Sequence, residues 1–116
     1  MIYEVTPDLA MVIIINSIIY TERTPGAENN WPDDTKLVRY INRMSSGNWT
    51  FQSSYISISL TGAMQDGHHR IMAVYKSGIT QIFNFRYTCD FMALYERNKE
   101  RHPKSIERIS KMLISS

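Results

Sequence analysis

Apolar and polar positions alternate along this chain in two distinct periods. From Ser54 to Leu60 they switch at every residue, placing Tyr55, Ser57 and Ser59 on one side and Ile56, Ile58 and Leu60 on the other. That period of two predicts a strand with one buried face. Thr80 to Tyr87 alternates in the same way and predicts a second strand, with Ile82 and Phe83 as core candidates. Leu37, Val38, Ile41 and Met44 instead recur at helical spacing, with Lys36, Arg39 and Arg43 turned outward. The helix they predict opens at Pro32-Asp33-Asp34 and stops at Gly47, and Trp49 is expected to pack over its end. Asp90 predicts a helix cap for a segment running to about Asn98. Pro103 opens a last helix with Ile106, Ile109, Met112 and Leu113 on one face.

Two stretches send mixed signals. Thr6-Pro7-Asp8 is a helix start, with a capping hydroxyl, a first-turn proline and an acid that complements the dipole. Val12 to Ile15 is β-branched throughout and favours strand. Because capping is specific to position, a short helix over about residues 7–15 is expected, ending near Asn16, with an irregular polar loop from Ile19 to Trp31. Pro25-Gly26 and Asn29-Asn30 supply turn chemistry in that loop. Met1 to Val5 is either an added strand or a loose end.

Between the two alternating segments, Thr61-Gly62 turns the chain into a short partner strand, Ala63-Met64-Gln65, that delivers Asp66-Gly67. A helix from about His69 to Lys76 follows, burying Ile71, Met72 and Val74 or Tyr75 and stopping at Ser77-Gly78. This strand-to-helix elbow places His68, His69 and Arg70 in a first helical turn, whose amides lack intrahelical partners and favour anions. Gly67 can adopt backbone angles closed to other residues and admit a ligand close to the main chain. The cluster therefore reads as a phosphate seat, with the planar fork of Arg70 suited to phosphate oxygens. On this reading Arg70→Ala lowers affinity with little loss of fold. The alternative is that Asp66 merely caps the helix and the imidazoles satisfy local carbonyls.

Length and composition place limits on these readings. The 116 residues suit one domain, 1–116, and 43% hydrophobic with 21% charged residues is ordinary for a globular chain. The elements sum to an α+β (mixed α/β) fold, a small mixed sheet packed with helices and ending in helices. A lone Cys89 excludes an intramolecular disulfide, reads as a buried small hydrophobe and fits a reducing compartment. The apolar run Leu9 to Ile15 is far shorter than the roughly 20 residues of a membrane span. No membrane partner and a cytoplasmic location are expected. The net charge of +2 is small, but Arg97, Lys99, Arg101, Lys104, Arg108 and Lys111 concentrate in the last helices. They form a candidate nucleic-acid surface. The interspersed Glu96, Glu100 and Glu107 support a plain solvated face instead. The sequence carries no signal for an oligomeric state.

The order of these features resembles the ParB/sulfiredoxin-like superfamily, especially small phage and plasmid proteins whose signature is Asp-Gly-Gln-His-Arg followed by an apolar helix. The matching residues are Thr6-Pro7, Leu9-Ala10, Tyr40, Met44, Gly47, Trp49, Ile58, Gly62, Asp66-Gly67-His68-His69-Arg70, Ala73 and Gly78. They define a core over about residues 5–87, with 88–116 as a helical, basic C-terminal extension. The resemblance implies a nucleotide, ATP or CTP, at the elbow, with Mg for any turnover. Members use that site to switch a CTP-dependent DNA clamp, to repair an oxidised cysteine with ATP, to phosphorylate free serine with ADP, or as nucleases. Carried over, Gly67, His69 and Arg70 contact phosphate beside His68, and Asp66 orients the turn or acts as base or metal ligand. Glu22 or Glu28 would join Asp66 if the loop brought them near. His68 stands where the signature has Gln and sulfiredoxins have their catalytic Cys, so that reductase chemistry is not expected. The function implied is nucleotide or phosphate binding, with phosphohydrolase or nuclease activity as its catalytic form. The competing class is a non-catalytic protein that binds and regulates a host protein or a nucleic-acid complex.

Overall fold

A computed structural model describes residues 1–28, 31–51 and 53–115. Its centre is a single long helix, α1 (Pro7–Arg23), started by Thr6, whose side chain accepts from the Leu9 amide at 3.1 Å. Ile13 to Ile19 are buried without a break. A helix apolar on every side survives only when other elements surround it, and that enclosure overrides the β-propensity of its isoleucines. The helix therefore continues well past residue 15, and the expected irregular segment from Ile19 begins only after Arg23. Asn16 does not end it. Its amide donates to the Phe91 carbonyl at 3.2 Å and accepts from Asn98 at 3.0 Å, so a polar residue sits satisfied in the core. Asn29 and Asn30, expected in a turn, lie outside the described residues.

The other elements are β1 (Ile2–Val5), α2 (Thr35–Ser45), β2 (Ile56–Ile58), β3 (Met64–Asp66), α3 (His68–Ser77), β4 (Gln81–Tyr87), α4 (Phe91–Arg101) and α5 (Pro103–Ser115). The fold is α+β: among the described residues, five helices pack with one four-stranded mixed sheet of order β1-β4-β2-β3. β1 pairs antiparallel to β4, β2 lies parallel to β4, and β3 closes antiparallel on β2. Val5, Phe83, Phe85, Ile56 and Ile58 point to the helices, while Ile2, Glu4 and Ile82 look outward. α1 packs against α3 on one side and against α4 and α5 on another. Ile106, Ile109 and Leu113 thus belong to the same core as the sheet. No helix among the described residues is long and apolar enough to cross a membrane.

Several core expectations are corrected. β2 spans three residues rather than seven, and Leu60, past its end in the turn, is 83% exposed. Ile82 faces outward because the burial phase of β4 is set by Phe83 and Phe85, the larger side chains. Val38 and Met112 are about half exposed, on helices whose inner stripes are Leu37 and Met44, and Ile109 and Leu113. Trp49 packs against Tyr40, midway along α2 rather than over its end, with ring centroids 4.9 Å apart. Cys89 is half-buried, and burial pushes its thiol pKa up.

Candidate functional site

The elbow is built from the end of β3 and the start of α3. Gly67 sits between them as the helix N-cap with φ +108°. A Cβ there would lie 2.8 Å from Ile56 Cγ1, so close packing on β2 and the left-handed backbone both require glycine. No side chain caps the helix. The alternative in which Asp66 caps the helix is therefore not realised; its side chain is largely exposed, 3.9 Å from the Arg70 guanidinium. The first-turn amides of α3 are left without a side-chain acceptor.

These residues line a cleft of about 360 Å³ together with Lys36 and Tyr40 of α2 and Ser54 and Gln65. Lys36 was expected to look outward. It is exposed but stands at the rim, its ammonium 5.6 Å from the Tyr40 ring centroid.

Arg70 occupies a different position from the one its motif suggests. Only 7% of it is exposed. One terminal nitrogen donates to the Ser54 carbonyl at 2.8 Å and the Ser54 hydroxyl at 3.2 Å, and the other donates to the Tyr55 carbonyl at 2.9 Å. Burial lowers its pKa, opposed by the charges of Asp66 and Tyr40. The guanidinium thus clamps the lead-in to β2, and the idea that Arg70 is dispensable for the fold is corrected. Its charge still borders the cleft.

His69 and His68 each meet a residue from the segment before or at the start of α2. His69 Nε2 lies 3.0 Å from Asp34 Oδ2, while Asp34 Oδ1 accepts from the Leu37 amide and caps α2. One carboxylate therefore ties the first turns of two helices. The His69 hydrogen bond and then the Leu37 amide hold its pKa below the usual carboxylate value. His68 packs edge-on against Trp31 with centroids 4.9 Å apart. Burial first, and then the charge of His69, lower its pKa, with Asp66 opposing.

Asp34, Trp31, Lys36, Tyr40, Ser54 and Gln65 are site residues that sequence reasoning missed. Asp34 had a readable signal, since a capping carboxylate has a second oxygen free, but its partner lies 35 residues away. Glu22 does not line the elbow cleft: it pairs with Arg108 of α5 at 2.6 Å. Glu28 is not among the residues lining the cleft. Of the basic C-terminal set, Lys99 pairs with Glu96, Lys111 with Glu107 and Arg108 with Glu22, leaving Arg97, Arg101 and Lys104 without an acidic partner among the described residues. Among the described residues no group of three His, Cys, Asp or Glu side chains is placed to hold a metal ion.

Chemically, the cleft combines helix amides without a side-chain cap, the basic side chains of Lys36 and Arg70 and two imidazoles with one exposed carboxylate, Asp66, which pairs loosely with Arg70. Comparison with protein-family models, curated proteins and solved structures returned no match.

Proposed function

We propose that the elbow cleft binds a phosphate group carried by a nucleotide, and that the chain is a ParB/sulfiredoxin-like protein of phage or plasmid type. The observation that carries the reading is the uncapped first turn of α3. It begins at a glycine and lies in a cleft bordered by Lys36 and Arg70. A helix terminus alone contributes about 0.3–2 kcal/mol toward an anion, so the side chains must supply most of the affinity. Lys36 is the exposed cation free to move onto a phosphate oxygen. His69, held by Asp34 through Nε2, lines the cleft beside it. Arg70 contributes charge from beneath while its hydrogen bonds hold Ser54 in the cleft wall.

Of the catalytic forms, hydrolysis would fall to Asp66 as base or as a ligand to Mg. With Asp34 committed to His69 and the α2 cap, a magnesium ion would draw the rest of its coordination from phosphate oxygens and water, as it does in many nucleotide sites. Binding is thus better supported by the geometry than turnover.

A second reading, a non-catalytic protein that docks a host partner, is favoured by the apolar surface around the exposed Leu60, where Tyr87 and Met92 are also about half exposed. Calorimetric titration with ATP, CTP and GTP, each with and without magnesium, separates the two. Saturable heat with one nucleotide, lost in Lys36→Ala, supports the phosphate seat. Absence of heat from all of them at millimolar concentration refutes it in favour of partner binding.

A further inference from the structure

Away from the elbow cleft, the C-terminal turns of α1 and α4 meet near the start of α5. Another cavity, of about 150 Å³, opens there, floored by Asn16 and Ile19 and bordered by Tyr20, Arg23 and Thr24 of the α1 end, by Thr61, and by Asn98 and His102 of the α4 end. Neither Arg23 nor His102 has an ion-pair partner among the described residues, and neither do the neighbouring Arg101 and Lys104. The nearest carboxylate on α1, Glu22, is taken by Arg108. The Thr61 hydroxyl is held by Ser59 at 2.6 Å. Among the described residues the hydroxyls of Tyr20 and Thr24 have no such bond.

A basic residue in the last turn of a helix complements the dipole, and that accounts for Arg23 or Arg101 taken singly. It does not account for an unpaired arginine and an imidazole lining one cavity, with a second arginine acting on the same imidazole. Burial first, and then the charges of Arg23 and Arg101, hold the His102 pKa below its ordinary range. Arg23, Arg101 and Lys104, with no carboxylate partner among the described residues, make the junction locally basic, which favours an anion.

The geometry points to a small-oxyanion site at this junction, a phosphate monoester or inorganic phosphate held by Arg23 and His102 with the Tyr20 and Thr24 hydroxyls. The cavity, at about 150 Å³, has room for a tetrahedral oxyanion. A terminal phosphate on a larger molecule would enter with the rest outside, toward Arg101 and Lys104. This site is independent of the elbow reading and survives its failure.

The three histidines make the two sites separately visible by NMR, since His68 and His69 report on the elbow and His102 on the junction. Inorganic phosphate added to the full chain at constant ionic strength should shift the His102 ring signals saturably at millimolar concentration and raise the pKa of that imidazole. Arg23→Gln, at an exposed position with no partner to lose, should weaken this response several-fold and leave any response of His68 and His69 unchanged. A short oligodeoxynucleotide with a 5′-phosphate, set against its unphosphorylated twin, distinguishes the sources. Tighter competition by the phosphorylated strand assigns the site to a nucleic-acid end, and equal potency with free phosphate assigns it to the ion. A His102 titration identical in phosphate and in chloride, or a phosphate response untouched by Arg23→Gln, overturns the proposal.

Discussion

Replacing Arg70 by alanine separates a structural guanidinium from a ligand-binding one. The side chain is 7% exposed and makes three hydrogen bonds to Ser54 and Tyr55. At about 1.5 kcal/mol for each bond from a charged donor, the three sum to roughly 4–5 kcal/mol. Two effects reduce that figure. Ser54 and Tyr55 are exposed, so their carbonyls can turn to water once released, and the variant no longer desolvates a guanidinium. A net loss of about 2–3 kcal/mol remains, equivalent to a drop in melting temperature of roughly 10 °C for a chain of this size. Urea unfolding of Arg70→Ala and Arg70→Lys reads it directly. Lysine should recover little, because a single ammonium cannot span the Ser54 and Tyr55 carbonyls in the way a planar fork does. A midpoint shift worth under about 0.5 kcal/mol, together with a large loss of nucleotide affinity, would show the guanidinium to be a ligand group and refute the clamp.

Gly67→Ala should cost roughly 1–2 kcal/mol for the left-handed backbone and more for the 2.8 Å approach to Ile56. Gly47→Ala, at φ +78° with nothing within 4 Å of its new Cβ, should cost only the backbone part; equal thermal shifts for the two would contradict the packing argument. Asn16→Ala strands the Asn98 amide and the Phe91 carbonyl in the core and should cost about 2–4 kcal/mol in chemical denaturation. Adding Asn98→Ala should recover part of that loss by removing the stranded donor, and strict additivity would argue against coupling. For His68, the folded pKa is depressed, so the unfolded chain binds the proton more readily. Stability should therefore fall as the pH drops below the ordinary imidazole range and through the lower folded value. His68→Phe, which keeps a ring against Trp31, should flatten that part of the stability–pH curve. An unchanged curve would mean that the imidazole is not desolvated in the native state.

Local rules were legible wherever the answer lies within a few residues. Thr6, Asp34 and Asp90 cap their helices as their positions suggest, each accepting from the amide three residues on. Gly67 could be picked out because a tight approach and a positive φ leave no other residue. The extent of α1 was not legible, since its β-branched residues favour strand until α3, α4 and α5 enclose them. Nor was the exposure of Leu60 and Ile82, where a two-residue period continues in sequence past the point at which the sheet stops burying it.

The sequence by itself determined the mixed class of the fold, the elbow at Asp66-Gly67 and the residue types gathered there, because caps, turns and alternation act over one or two turns of chain. Only the tertiary structure decided what those residues touch. It turned Arg70 inward onto Ser54 and Tyr55, brought Asp34 and Trp31 across to His69 and His68, and set Arg23 beside His102. Each of those pairings joins segments at least fifteen residues apart. Such contacts are selected by the packing of whole elements, and the local pattern of residues carries no record of them.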